Sequence, residues 1–140
     1  MSTLNPTELR GILRDTRTVA VVGASDKPAR PSNDVIEYLA RHSHFELFPV
    51  NPTISRIGEM TVYAALADLP VVPDMVDVFR RYEDLPAVLE EVLALSPHPK
   101  YLWLQQGLWH PQVAERARAA GLTVVMDRCL KVDYARLIGS

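Results

Sequence analysis

The chain has 140 residues, which suits one domain, and by size scaling such a domain buries roughly 68–70% of its unfolded surface. Hydrophobic residues make up 48%, charged residues 23%, and the formal net charge is −2, values that exclude a largely disordered chain and broad attraction to nucleic acid or an anionic membrane. Any anion site must therefore be local.

The single cysteine, Cys129, cannot form an intrachain disulfide. The opening stretch MSTLNPTELRGILRD carries acids and arginines where a signal peptide needs an apolar run. No segment approaches the ~20 apolar residues of a bilayer span. A cytoplasmic protein with no membrane and no nucleic-acid partner is expected.

In chain order, Asn5 is an expected N-cap, with Pro6 at the first helical position and Glu8 completing a capping box. TVAVVG, residues 18–23, reads as a strand buried on both faces and stopped by glycine. A helix is expected from Ser32 or Asn33 to about His42, with Val35, Ile36 and Leu39 on its apolar face. FELFPV, residues 45–50, is the second strand, and TVYAALADLP, residues 61–70, a short turn-and-helix segment. DMVDVF, residues 74–79, is the third strand, followed by a helix over 84–95. KYLWLQ, residues 100–105, is the fourth strand, 110–121 a helix closed by Gly121, and LTVVMD, residues 122–127, the fifth strand. This alternation predicts an α/β fold, an open parallel sheet with helices on both faces in a single domain spanning 1–140.

Ligands of such sheets bind outside the carboxyl ends of the strands. The first strand is followed by GASDKPAR, the second by NPTIS, the third by RRYED, the fourth by QGLWHP and the fifth by RCLK. Taken singly, Gly23 can serve only a turn, Ser32 only a helix cap, and Arg80 and Arg81 only a solvated loop. Their joint placement predicts one crevice lined by Lys27, Arg30, Arg80 and Arg128, suited to a ligand with several phosphates. A nicotinamide dinucleotide fits poorly. Its fingerprint needs three glycines and an acidic residue ending the second strand, whereas the turn here has one glycine and that strand ends Val50-Asn51-Pro52.

The stretches VVGASDKPARPS, FPVNP, LADLP, DMVDVFRR, LWLQQG and VVMDRC together resemble the small bacterial CoA-binding proteins, which are similar to the N-terminal CoA-binding domain of the succinyl-CoA synthetase alpha subunit. The resemblance runs through most of the chain and implies a Rossmann-like fold with coenzyme A across the strand ends. It implies that Gly23, Ser25, Lys27 and Arg30 contact the phosphates, with Ala24 and Ser32 also part of the cofactor site. Asn51 and Pro52 would border the adenine end, with Val78 and Phe79 along the nucleotide and Arg80 near phosphate. Gln105, Gln106 and Gly107 would approach the pantetheine side. The second domain of the synthetases, with its phosphorylated histidine, has no counterpart in these motifs, so no ligase chemistry is expected.

His42, His44, His98 and His110 lack metal-site spacing and are expected at the surface. For catalysis, Asp127-Arg128-Cys129 is the one candidate group, an arginine beside a thiol being able to lower its pKa; a packed, inert thiol is the competing reading. If the pantetheine arm reaches it, Cys129 can form a mixed disulfide with the CoA thiol. Trp103 is expected in the core, and Trp109 over a ligand or a neighbouring subunit. Three functions stay open: a stand-alone CoA or acyl-CoA binding module, an NAD(P)-dependent oxidoreductase, and a CoA-binding subunit of a larger acyl-CoA enzyme, with a protein partner or a homo-oligomer compatible with each.

Overall fold

A computed structural model describes residues 4–139. Helix α1 (Pro6–Asp15) starts as the capping motif predicts, the Asn5 side chain accepting from the Glu8 N–H at 2.8 Å and the Glu8 side chain from the Asn5 N–H at 2.9 Å. Strand β1 (Thr18–Val22), helix α2 (Pro31–His42) and strand β2 (Glu46–Val50) follow. Then come β3 (Arg56–Ile57), β4 (Met60–Thr61), β5 (Met75–Val78), α3 (Leu85–Leu93), β6 (Tyr101–Leu104), α4 (Pro111–Ala119), β7 (Thr123–Val125) and α5 (Leu130–Leu137).

Five strands form one parallel sheet in the order β2-β1-β5-β6-β7. Helices α1, α2 and α5 cover one face, where Leu13, Ile36, Leu39, Trp103 and Leu130 form the core. Helices α3 and α4 cover the other, over Val76, Leu89, Val92, Leu102 and Leu104. Covering both faces requires strands without polar alternation, which is why TVAVV and YLWL read as continuous apolar runs. The fold is the Rossmann-like α/β domain expected. From β1 the chain moves to one side to form β2 and later returns to β1's other side as β5, so the strand order reverses between β1 and β5.

One expectation is corrected and two elements are added. Helix α2 starts at Pro31 with Arg30 as its N-cap, not at Ser32 or Asn33, because Pro is preorganised for the first helical position. Residues 56–61 form the antiparallel hairpin β3–β4, whose two-residue strands are too short for periodicity. Helix α5 was not foreseen, since its eight residues hold Lys131, Asp133 and Arg136. It is held by contacts, with Leu130 and Tyr134 in the core beside α1 and α2 and the buried Asp133 carboxylate gripped by Arg128 at 2.5 and 2.9 Å.

The turn after β1 is set by one close approach. Gly23 has φ +86°, and a Cβ there would lie 2.1 Å from the Phe79 carbonyl oxygen. The Phe79 N–H also bonds to the Val22 carbonyl at 2.8 Å, so the ends of β1 and β5 are drawn together. Gly23→Ala should therefore destabilise the protein by about 2–4 kcal/mol, from overpacking and backbone strain, measured by urea unfolding; wild-type stability would contradict the geometry.

In the middle of β5, Asp77 is 0% exposed, and both its carboxyl oxygens lack partners among the described residues. Desolvation pushes this carboxyl well above its ordinary value. The folded protein thus keeps a proton that the unfolded chain releases above about pH 4. The contribution of Asp77 to stability is complete below that pH and is lost as pH rises toward the folded-state value. Asp77→Asn should remove this decline and raise the melting temperature at pH 7–8 relative to pH 4, as read by thermal melts across that range.

Candidate functional site

At the reversal point between β1 and β5, the loops after four strands enclose a cleft of about 650 Å³. The β1–α2 loop supplies Gly23, Ala24, Ser25, Lys27 and Arg30, with Ser32 from the first turn of α2. Asn51 comes from the loop after β2, Phe79 and Arg80 from the end of β5, and Gln105, Gln106 and Gly107 from the end of β6. Twelve predicted site residues thus line one cavity, and six further ones from the same segments, Asp26, Pro31, Thr53, Ile54, Arg81 and Leu108, line it with them.

Polar side chains hold these loops in place. Asn33 Nδ2 donates to the Ser25 carbonyl at 2.9 Å and Asn51 Nδ2 to the Ala24 carbonyl at 2.7 Å. Asn51 Oδ1 also accepts from the N–H and the hydroxyl of Thr53, both at 2.8 Å. Its amide oxygen and one of its two N–H donors are thus engaged in joining the first two loops. Asp127, a non-glycine residue at φ 58°, accepts the Gly107 N–H at 2.7 Å and donates its own N–H to the Leu108 carbonyl at 3.0 Å. Its role is to shape the β6 loop, which its neighbourhood in sequence did not reveal because the partners lie 20 residues away.

The first turn differs in detail from a bare glycine cradle. The Gly23 and Ala24 N–H groups both bond to the Val50 carbonyl, at 3.0 and 3.2 Å. Free donors begin further on, with the N–H groups of Ser25, Asp26 and Ser32, which have no partner among the described residues. Helix α2 has no side-chain cap, so its positive end opens toward the cleft.

Lys27 and Arg30 are exposed and form no ion pair among the described residues. Arg80 and Arg81 meet Asp84 at 3.3 and 3.5 Å. Desolvation alone would raise the Asp84 carboxyl, but the two guanidiniums outweigh it and hold the group below its ordinary value. Asp84 therefore stays ionised and orients both arginines at the rim.

Five residues of the sequence expectations fall outside the cleft. Val78 is 0% exposed in the core below the opposite sheet face, and Pro52 lines a neighbouring recess of about 350 Å³ with Ala64 and Leu66. Arg128 turns to Asp133 instead of joining the other cations. Trp109 lies with Leu4 and Met126 in a separate recess. Cys129 is partly buried against the core and does not line the cleft. Trp103 is fully buried as expected, its indole N–H donating to the Arg128 carbonyl at 2.8 Å. His110 is not at the surface but buried, because its Nδ1 caps α4 by accepting the Val113 N–H at 3.1 Å while Tyr82 stacks on the ring.

Comparison with known proteins agrees with this architecture. Residues 17–135 match the CoA binding domain family. The chain is 38% identical over 128 residues to the uncharacterized protein YneT of Bacillus subtilis (strain 168), covering 91% of this chain and 93% of that one. A solved Thermus thermophilus protein is 40% identical, with a TM-score of 0.88 over 96% of this chain and 99% of its own. The fold alone also recurs in a dinucleotide-forming acetyl-coenzyme A synthetase of Ca. Korarchaeum cryptofilum, at 17% identity and a TM-score of 0.67, over 82% of this chain and 27% of that one. Family match, topology and the joined loops lead to one conclusion: this chain belongs to the CoA-binding domain family.

Proposed function

We propose that the chain is a stand-alone binding protein for coenzyme A or an acyl-CoA, residues 1–140 working as one binding domain in the cytoplasm as a carrier, sensor or regulatory partner. The observation that carries this reading is the convergence of Lys27, Arg30, Arg80 and Arg81 on one cleft in a chain of net charge −2. Lys27, Arg30 and the open end of α2 suit the diphosphate, since charge-assisted hydrogen bonds are roughly twice as strong as neutral ones. Arg80 and Arg81 add cations for a further phosphate. Asn51 borders the adenine end, with Pro52 in the recess next to it. The mixed surface of Ile54, Phe79, Leu108 and the Gln105–Gly107 turn suits the pantetheine arm, which carries amides on an apolar chain.

Calorimetry with CoA, acetyl-CoA, NAD and ATP tests the assignment. CoA and acetyl-CoA should bind and NAD should not; tight NAD binding with none for CoA would overturn it. Lys27→Ala and Arg30→Ala should each weaken CoA by about 1.5–3 kcal/mol, the worth of one hydrogen bond to a charged group. Unchanged affinity in both variants would remove the phosphate role.

A further inference from the structure

Two buried side chains with polar atoms unpartnered among the described residues lie on the same face of the sheet, one in β5 and one just past the end of β6. Asp77, 0% exposed, pairs in register with Trp103 of β6, and Gln105 follows Trp103 by two residues. The ladder continues through Gln105, whose N–H donates to the Val78 carbonyl at 3.3 Å. Met75 and Trp103 both point into the core beneath α1, α2 and α5, so the period of two puts Asp77 and Gln105 on that face as well. Ordinary strand spacing sets their Cα atoms roughly 8 Å apart, within the combined reach of an Asp and a Gln side chain.

Gln105 is 7% exposed yet lines the cleft. Its Oε1 is buried and lacks a donor among the described residues, which leaves Nε2 as the end of the amide that reaches the cavity. Asp77 Oδ1 and Oδ2 lack partners too. An ionised carboxylate only accepts hydrogen bonds and would repel Oε1, whereas a neutral acid has one O–H to give. Burial without a counter-charge favours that neutral form.

We propose that Asp77 is a positioning residue, a neutral acid that donates its O–H to Gln105 Oε1 and so holds Gln105 Nε2 toward the cleft as the donor for a carbonyl of the bound ligand. The ligand chemistry rests on the CoA reading: the carbonyl is an amide or thioester of the pantetheine or acyl arm, while the nucleotide phosphates meet Lys27 and Arg30 on the other side. Asp77 acts only through Gln105.

The test combines a ligand-free and a ligand-bound readout on the full chain. Without ligand, the infrared carbonyl band of a neutral carboxylic acid should be present in the wild type, absent in Asp77→Asn and shifted in Gln105→Met. By calorimetry, Asp77→Leu and Gln105→Met should each weaken CoA about tenfold, the loss of one hydrogen bond. The double variant should be no weaker than either single one, because both remove the same contact. Asp77→Asn, whose amide N–H can replace the acid O–H, should rescue affinity to within about twofold of wild type. Adenosine 3′,5′-bisphosphate, which has no arm, should bind all variants alike. The proposal is overturned by absence of the acid band, by wild-type CoA affinity in Asp77→Leu, or by Asp77→Asn binding as poorly as Asp77→Leu. A band that shifts in Gln105→Met in a wild-type protein that ignores CoA would uphold the Asp77–Gln105 pair and reject the CoA reading alone.

Discussion

The backbone of Gly23 runs so close to the Phe79 carbonyl that no side chain fits between them. That approach ties the ends of β1 and β5 together where the strand order reverses, and the loops that follow must part on either side of it. The cleft is the space between those loops. A glycine at the end of the first strand is commonly read as clearance for a phosphate. Here it first provides clearance for the neighbouring strand, and the N–H groups of residues 23 and 24 are already held by Val50. The donors that remain lie two or more residues further on, where the chain turns into α2.

A mouth built from loops has to be held in shape, and short polar side chains perform that task. Asn33 and Asn51 fasten the first loop to the first turn of α2 and to the loop after β2, while Asp127 fastens the β6 loop from across the sheet edge. The cations, by contrast, stand mostly in solvent, where an ion pair contributes little to stability. Fold maintenance and charge presentation are thus divided between different residues around the same opening.

Asp77 is the exception among the buried strand residues of the sheet, which are otherwise apolar. A carboxyl in the middle of a doubly covered strand gains no solvation and finds no counter-ion among the described residues, so an apolar residue of similar size would make a more stable core. Its place on the face that leads to Phe79 and Gln105 links that destabilising choice to the floor of the cleft.

The apolar runs, helix caps and glycine stops made the alternation of strands and helices legible from residue order alone, because those signals act within a few residues. The loops that bear Lys27, Arg30, Arg80 and Gln106 were legible for the same reason, since the residue after a parallel strand must emerge at one rim of the sheet. Short elements without a local signal, the β3–β4 hairpin and α5, depended on contacts with distant segments. So did the partners of individual side chains: Arg128 has a buried carboxylate five positions on that outcompetes the cleft, and Val78 sits on the opposite side of the pleat from Phe79. Local order determined which segments reach the rim; packing across the sheet decided which way each side chain turns there, because hydrogen-bond and ion-pair partners are chosen by distance in space.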